Sequence, residues 1–207
     1  MGRRGFIVRS SVGAAFALIA GLLPYVVAAA AAPLAIDTAR VTIHGTSNVH
    51  EYSASTTHVR VTRAQLGGAV AGPEFWENAL KPGRVEAFEI AIAAATLTSP
   101  KDGLDRNMHK ALQVDKNPDI TFRLLRIEAG QAGALKGIGM LMIAGVEREV
   151  ALNLKTERKD ATLTVTGKVD LLMTDYGIKP PKAMLGMLKT DPKVTVTFET
   201  VLSVPLT

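Results

Sequence analysis

The chain contains no cysteine, and this absence excludes disulfide bridges, thiolate metal sites and cysteine nucleophiles. Aromatic residues are also scarce, at 5% of the sequence, and Trp76 is the single tryptophan. Aliphatic residues and alanine therefore carry most of the apolar content, which is large enough for one domain of 207 residues to bury a sizeable core. The absence of cysteine does not exclude a location in an oxidising compartment, because a protein with such a core can fold without disulfide bridges.

Motifs of several enzyme and nucleotide-binding classes are missing as well. The sequence has no G-x-S-x-G elbow, no HExxH pair, no phosphate-binding P-loop and no G-x-G-x-x-G turn. The four histidines, His44, His50, His58 and His109, follow no metal-ligand spacing, and no acidic cluster accompanies them in the sequence. We therefore predict no catalytic residues, no metal and no cofactor, and we predict that the protein is not an enzyme.

Most of the positive charge belongs to the first 32 residues. This segment contains Arg3, Arg4 and Arg9 and no acid, whereas the whole chain has a net charge of +5. The remainder carries 21 basic and 19 acidic residues, a net charge of only +2. The high isoelectric point thus reflects the leader, and the sequence predicts no nucleic-acid partner.

Residues 1–32 have the three parts of an export signal. The arginines form a basic start, an apolar stretch runs from Val12 to Val27, and a run of alanines ends the segment. An uncleaved membrane anchor is the alternative, but Gly21 and Pro24 interrupt an apolar stretch that is marginal for spanning a bilayer. We expect signal peptidase to remove residues 1–32 and the barrel domain to comprise residues 33–207.

The export route remains open between two systems. Arg3-Arg4-Gly5-Phe6-Ile7 resembles a twin-arginine signal, while adjacent arginines also occur in general secretory signals. Either route predicts a periplasmic or secreted protein whose mature chain begins between Ala31 and Ile36.

Alternation of apolar and polar residues dominates the mature chain. Val150, Leu152 and Leu154, for example, alternate with Glu149, Ala151, Asn153 and Lys155. This period of two is typical of strands with one buried face. Short turn sequences such as Ala144-Gly145 and Lys159-Asp160 favour antiparallel neighbours. We predict an all-β fold, an eight-stranded antiparallel barrel, with strands near 39–46, 52–63, 84–97, 119–129, 135–144, 147–158, 161–174 and 193–205.

Two segments depart from this alternation. In residues 104–114, the residues Leu104, Met108, Ala111 and Leu112 recur at helical spacing, and Pro118 follows shortly afterwards. The segment 183–188 is a weaker helix candidate. We expect one short helix at 104–114 that covers an open end of the barrel.

The segment LDRNMHKALQVDKNPDITF, residues 104–122, resembles the YceI-like family of lipid-binding proteins. Arg106, Asn107 and His109 match the family's Arg-Asp-x-His element, except that Asn107 replaces the acid. Pro118, Ile120 and Phe122 match its Tyr-Pro-x-Ile-x-Phe run, except that Asn117 replaces the tyrosine. The family's later elements follow in order at Gly145-Val146 and at Asp175-Tyr176-Gly177-Ile178, so the resemblance covers almost the whole mature chain.

This resemblance implies a lipocalin-like periplasmic barrel that holds an isoprenoid or other long-chain lipid. We expect the apolar tail to contact Met108, Ile120, Phe122, Met140, Met142 and Met173, and the methionines Met184 and Met187 are further candidates. Arg106 and His109 lie three residues apart on the helix and are expected to touch the polar head group. The alternative is that both side chains tie the helix to neighbouring loops.

Two other functions remain open at this point. A barrel whose core is filled would be a structural or stress-related interaction protein, and a lipid-processing enzyme would need a nucleophile and base that the sequence does not suggest. The oligomeric state is open too, a homodimer included.

Overall fold

The computed structural model describes residues 34–67, 74–81, 83–130, 134–183 and 187–204. The predicted leader, residues 1–32, lies outside this part of the chain. The described residues form ten strands, two α-helices and two short 3-10 turns, at Ala94–Thr96 and Met173–Tyr176. The helices are α1 (Phe75–Ala79) and α2 (Asp102–Leu112), and the strands are β1 (Ala35–Ser47), β2 (Glu51–Thr56), β3 (Val59–Leu66), β4 (Val85–Ala93), β5 (Asp119–Ala129), β6 (Leu135–Ile143), β7 (Val146–Lys159), β8 (Thr162–Leu172), β9 (Lys182–Ala183) and β10 (Leu188–Ser203).

The strands form one antiparallel sheet that curls into a barrel. Its order is β2-β1-β10-β8-β7-β6-β5-β4-β3, and the two-residue β9 pairs with β10. The end strands, β2 and β3, are consecutive in the chain and are joined by Thr57 and His58 alone. When β2 and β3 are taken together as one bent strand and β9 is set aside, eight strands remain. The predicted antiparallel barrel is therefore confirmed.

The predicted strand 52–63 is broken at Thr57-His58 by buried hydroxyl groups. The Thr56 side chain is buried, and its oxygen accepts a hydrogen bond from the His58 backbone N–H at 3.0 Å. The same oxygen lies 2.6 Å from the Thr96 hydroxyl, which donates to the Ala93 carbonyl. The His58 N–H thus bonds to a side chain, while the His58 carbonyl accepts from the Ala93 N–H of β4 at 3.2 Å. The chain bends here, and its pairing changes from β1 to β4.

Tight turns set the register of β6, β7 and β8. Ala144 and Gly145 both adopt positive φ, at 50° and 80°, and join β6 to β7 as the sequence predicted. Asp160 adopts a φ of 52° in the two-residue link between β7 and β8. Positive φ at such positions matches the right-handed twist of a β-hairpin.

Helix α2 begins two residues earlier than predicted and covers one end of the barrel, called here the helix end. Asp102 and Asp105 lie in its first turn and His109 and Lys110 in its last, as the helix dipole favours. Gln113 ends the helix in the left-handed conformation, at a φ of 54°. The weaker helix candidate at 183–188 is not tested in full, because residues 184–186 lie outside the described chain; its ends belong to β9 and β10.

Helix α1 fills the opposite end, called here the tryptophan end. Phe75 and Trp76 are buried there against Leu163, Leu202 and Val204. Helix α1 was not predicted, because five residues are too few to show a helical period. The barrel thus has two apolar clusters, one around α1 and a larger one that reaches from the middle of the sheet to α2.

Candidate functional site

The barrel interior contains an apolar cavity of about 180 Å³. Of its 22 lining residues, all are apolar except Thr200. The alternation of apolar and polar residues explains this almost entirely apolar lining, because every second residue of a strand faces inward. The lining residues are Ile36, Val41, Ile43, Val59, Phe88, Ile90, Ile92, Leu97, Ile120, Phe122, Leu124, Leu141, Ile143, Leu152, Leu154, Val165, Val169, Leu171, Val196, Phe198, Thr200 and Leu202.

A second apolar cavity of about 150 Å³ lies between the sheet and α2. Ile43, Ile120, Ile143 and Leu171 line both cavities, so the two meet at a waist formed by these four side chains. We call the two cavities together the channel. The remaining walls of the second cavity come from α2, from the 3-10 turn at Met173–Tyr176 and the residues after it, and from β2, β8 and β10. These residues are Tyr52, Leu104, Asn107, Met108, Ala111, Leu112, Leu172, Met173, Tyr176, Ile178, Pro181, Thr190 and Val194.

The Asp175-Tyr176-Gly177-Ile178 element occupies a gap in the barrel wall. Strands β7 and β8 pair only from Asn153 to Lys159 on the β7 side, so Val146–Leu152 has no ladder to β8. Tyr176 and Ile178 are buried at this gap, and Gly177 lies against Val146. Burial, together with Asp175 and against the smaller opposing effect of Arg148, raises the pKa of the Tyr176 hydroxyl. The element therefore completes the channel wall where the sheet does not.

Three inward-facing glycines lie against aromatic rings. Gly45 faces Tyr52, and Gly167 faces Phe198, each directly across a strand pair, while Gly139 lies diagonally against Phe122. A Cβ atom at any of these glycines would collide with the ring, and at Gly139 and Gly167 it would also lie 2.6 and 2.8 Å from a backbone oxygen. Each ring thus occupies the space that a side chain at the glycine position would need.

A polar cleft of about 600 Å³ adjoins the channel at the helix end. Tyr52 and Leu104 line both spaces. Burial, and then the negative charge of Asp191, raises the pKa of the Tyr52 hydroxyl, which stays protonated as a hydrogen-bond donor at neutral pH. The other residues of the cleft are mostly polar or charged: His44, Gly45, Thr46, His50, Glu51, Ser53, Ser99, Pro100, Lys101, Asp191, Lys193 and Thr195. An amphipathic molecule can therefore place its apolar end in the channel and its polar end in the cleft, on the two sides of Tyr52.

The structure divides the residues that were predicted to contact a lipid tail. Met108, Ile120, Phe122 and Met173 line the channel. Met140 and Met142 do not, because Leu141 and Ile143 face inward and alternation places their neighbours on the outer face of β6. Of the further candidates, Met184 lies outside the described residues and Met187 is exposed.

Arg106 and His109 lie away from the channel. They line a separate surface cleft on the outer side of α2, together with Lys110, Gln113 and the residues that follow. The His109 Nε2 atom is 2.8 Å from the Leu97 carbonyl oxygen, and this bond ties the helix to the segment after β4. The geometry favours a structural role for His109, whereas the head-group role of both residues remains a prediction.

We expect His109→Ala to destabilise the protein by about 1 kcal/mol, the usual net value of one hydrogen bond. Arg106→Ala should change the free energy of unfolding by less than about 0.5 kcal/mol, since Arg106 is exposed. Urea denaturation measures both changes, and mass spectrometry of co-purified lipid checks the head-group role. Loss of lipid from either variant at unchanged stability would support the head-group role of that residue.

The polar cleft and Tyr52 were not predicted from the sequence. The cleft unites residues from β1, β2, β10 and the segment before α2, which only strand pairing brings together. No group of three or more His, Cys, Asp or Glu residues within the described part of the chain could hold a metal ion. Nor does any helix there have the length and apolar character needed to cross a membrane.

Comparisons with known proteins agree on the fold. The chain is similar to a polyisoprenoid binding domain from Saccharophagus degradans implicated in plant cell wall breakdown, with 12% identity and a TM-score of 0.63 over 84% of this chain and 100% of that one. It is also similar to Burkholderia cenocepacia BcnA, with 13% identity and a TM-score of 0.62 over 79% and 95% of the two chains. Campylobacter jejuni YCEI protein matches with 13% identity and a TM-score of 0.50 over 69% and 82%. The curated proteins yield no match to this sequence.

A family model described as a YceI-like domain matches residues 34–202. This range begins just before β1 and ends one residue before the last residue of β10, so it includes α2, the channel walls and the polar cleft. The chain belongs to the YceI-like family.

Proposed function

We propose that the protein is an exported, non-catalytic carrier that holds an isoprenoid or similar amphipathic lipid in the channel. The observation that carries this proposal is an apolar channel that adjoins a polar cleft, with Tyr52 and Leu104 lining both. Ligand sites are typically apolar with few polar groups at one end, which suits a chain-like tail and a small head. The polyisoprenoid binding domain to which the chain is similar supports the choice of lipid.

The size of the channel sets a condition on this function. An apolar cavity of about 150 Å³ accommodates a molecule of roughly benzene size, and ligand sites commonly hold about 300–1,000 Å³. The two cavities, of about 180 and 150 Å³, each lie below that range, and only together do they reach its lower end. A long tail needs the flexible side chains of Met108 and Met173 to change rotamer, which unbranched methionine does at low cost.

Lipid extraction tests the proposal directly. The protein purified from the cell that exports it should release an isoprenoid or long-chain lipid, close to one molecule per chain, as measured by mass spectrometry. The intact mass of the same sample should show a chain beginning between Ala31 and Ile36, which checks the export part separately. Protein that carries no lipid, and that binds none when incubated with prenyl lipids, would instead support the filled-barrel alternative.

A further inference from the structure

We propose that residues 173–181, called here the plug, form a door in the side of the barrel through which the ligand enters and leaves the channel. This inference rests on the proposed carrier function. The pairing between β7 and β8 ends at Asn153 and Lys168, so residues 146–152 and 169–172 have no ladder between them. The plug closes this gap, because its 3-10 turn packs against β7, β8 and β10.

The plug holds its own shape through two internal hydrogen bonds. The Gly177 N–H donates to the Thr174 carbonyl at 3.1 Å, and the Ile178 N–H donates to the Met173 carbonyl at 3.0 Å. Gly177 has a φ of 68°, a left-handed conformation that glycine adopts without strain. Because both bonds close within the plug, it can move away from the barrel without losing them.

Few polar contacts fasten the plug to the barrel. Among the described residues, its one hydrogen bond to another element runs from the Thr190 N–H of β10 to the Pro181 carbonyl, at 3.2 Å. Within the same part of the chain, no backbone hydrogen bond joins the plug to β7, and no side chain of the plug forms a hydrogen bond or an ion pair. Burial of Tyr176 and Ile178, which are 3% and 8% exposed, therefore provides most of its attachment.

Helix α2, the other cover of the second cavity, is fastened more firmly. The His109 ring is bonded to the Leu97 carbonyl, and the Asp105 carboxylate accepts from the Ser99 N–H at 2.9 Å. The residue before Ser99 exchanges two backbone hydrogen bonds with β2. Local opening requires less free energy where fewer hydrogen bonds break, so the plug opens more readily than α2.

A route past the plug suits an apolar tail. Four lining residues of the second cavity belong to the plug, namely Met173, Tyr176, Ile178 and Pro181, so its displacement enlarges that cavity from about 150 Å³. The lining of this cavity contains no charged residue, whereas the lining of the polar cleft contains four: Glu51, Lys101, Asp191 and Lys193. A tail that enters past the plug therefore reaches the apolar interior without crossing the cleft.

Thiol labelling tests whether the plug opens, and it does not depend on any ligand. The chain has no cysteine, so one introduced cysteine is the only thiol. Ile178 in the plug and Ile92 in β4 are both 8% exposed, but Ile92 lies in a strand that is paired on both sides. In the folded protein, 5,5′-dithiobis(2-nitrobenzoic acid) should label Ile178→Cys at least about tenfold faster than Ile92→Cys, because the plug opens locally.

The labelling rates are compared with the rate that global unfolding alone would give each variant, calculated from its urea unfolding and refolding kinetics. Equal rates for the two thiols after this correction would overturn the proposal. Tyr176→Cys and Ile120→Cys, also buried in the plug and in a doubly paired strand, are the substitutes for a variant that does not fold.

A disulfide lock tests whether the ligand uses this door. A Cβ atom at Gly177 would lie 3.9 Å from the Val146 Cγ2 atom, so Val146→Cys/Gly177→Cys can fasten the plug to β7. The measured quantity is the rate at which lipid-free protein takes up cis-parinaric acid, whose fluorescence rises in apolar surroundings. Oxidation should slow this uptake at least about tenfold, and dithiothreitol should restore it, as expected when a lid controls access.

The control disulfide joins the same two strands where their ladder is intact. Lys155→Cys/Thr166→Cys links directly paired positions on the outer face of β7 and β8, and its oxidation should leave uptake unchanged. Bismaleimidoethane joins the two thiols of either variant if a disulfide does not form. Unchanged uptake in the locked plug variant would overturn the proposal and favour entry through the polar cleft. Fast labelling of Ile178→Cys in a protein that binds no cis-parinaric acid would count against the carrier function, while the opening of the plug would stand.

Discussion

Replacing Trp76 with alanine is expected to lower the free energy of unfolding by about 3–5 kcal/mol, the range for truncating a large buried aromatic side chain. Trp76 is 4% exposed and packs edge-to-face against Phe75, with ring centroids 5.0 Å apart. Its Nε1–H also donates to the Ala161 carbonyl at 2.9 Å, so the truncation leaves that oxygen without this partner. A five-residue helix has no stability of its own, and we expect α1 to detach from the barrel in this variant.

Urea unfolding followed by far-UV circular dichroism measures the loss. Glu77→Ala is the matched control in the same helix: Glu77 forms an exposed ion pair with Arg158 at 3.6 Å, which contributes at most about 1 kcal/mol. A loss below about 1 kcal/mol for Trp76→Ala would mean that the tryptophan end does not hold the barrel together. A stability of roughly 5–15 kcal/mol is typical of a domain, so the expected loss is a large fraction of the total.

A tryptophan at the waist of the channel should abolish lipid binding. Ile143 lines both cavities, and Ile143→Trp places a larger side chain where the two meet. We expect the lipid that co-purifies with the protein to fall to near zero, at a cost of about 1–3 kcal/mol in stability from overpacking. The amount of lipid per protein chain is measured by mass spectrometry after solvent extraction.

The adjacent residue provides the control. Met142 lies next to Ile143 on β6 but on the opposite face, so Met142→Trp adds the same bulk outside the barrel. This variant should retain its lipid. Full lipid content in Ile143→Trp, at a preserved fold, would place the ligand elsewhere, whereas loss in both variants would indicate damage to β6 itself.

Much of the sheet could be predicted from alternation, because residues that face one buried interior must recur with a period of two. Strand β5 begins and ends where predicted, and β6, β7 and β8 differ by at most two residues at each end. Strand β4 ends at Ala93, four residues early, because residues 94–96 form a 3-10 turn. The bend at Thr57 could not be predicted, since it depends on a hydrogen bond to Thr96 from another part of the chain.

The site was predicted less well than the fold, because the direction in which each side chain points was not predicted. Met140 and Met142 have the right chemistry but the wrong parity, and parity follows from Leu141 and Ile143. On α2, successive residues turn by about 100°, so Arg106 and His109 point roughly 160° and 140° away from Leu104, which lines the channel. A residue of suitable type and spacing is therefore a good candidate for the site only if it lies on the inward face of its strand or helix.

The contacts between glycines and aromatic rings constrain how this barrel can diverge from its relatives. Wherever a ring covers a glycine, as Phe198 covers Gly167, a larger residue at the glycine position collides with the ring and the neighbouring backbone. A smaller residue at the ring position leaves a void instead. Neither position can drift alone without loss of stability, so substitutions at the two should appear in the family as correlated pairs. Descendants of one barrel can thereby reshape the space for a ligand only in coupled steps, while the strand pattern around it stays unchanged.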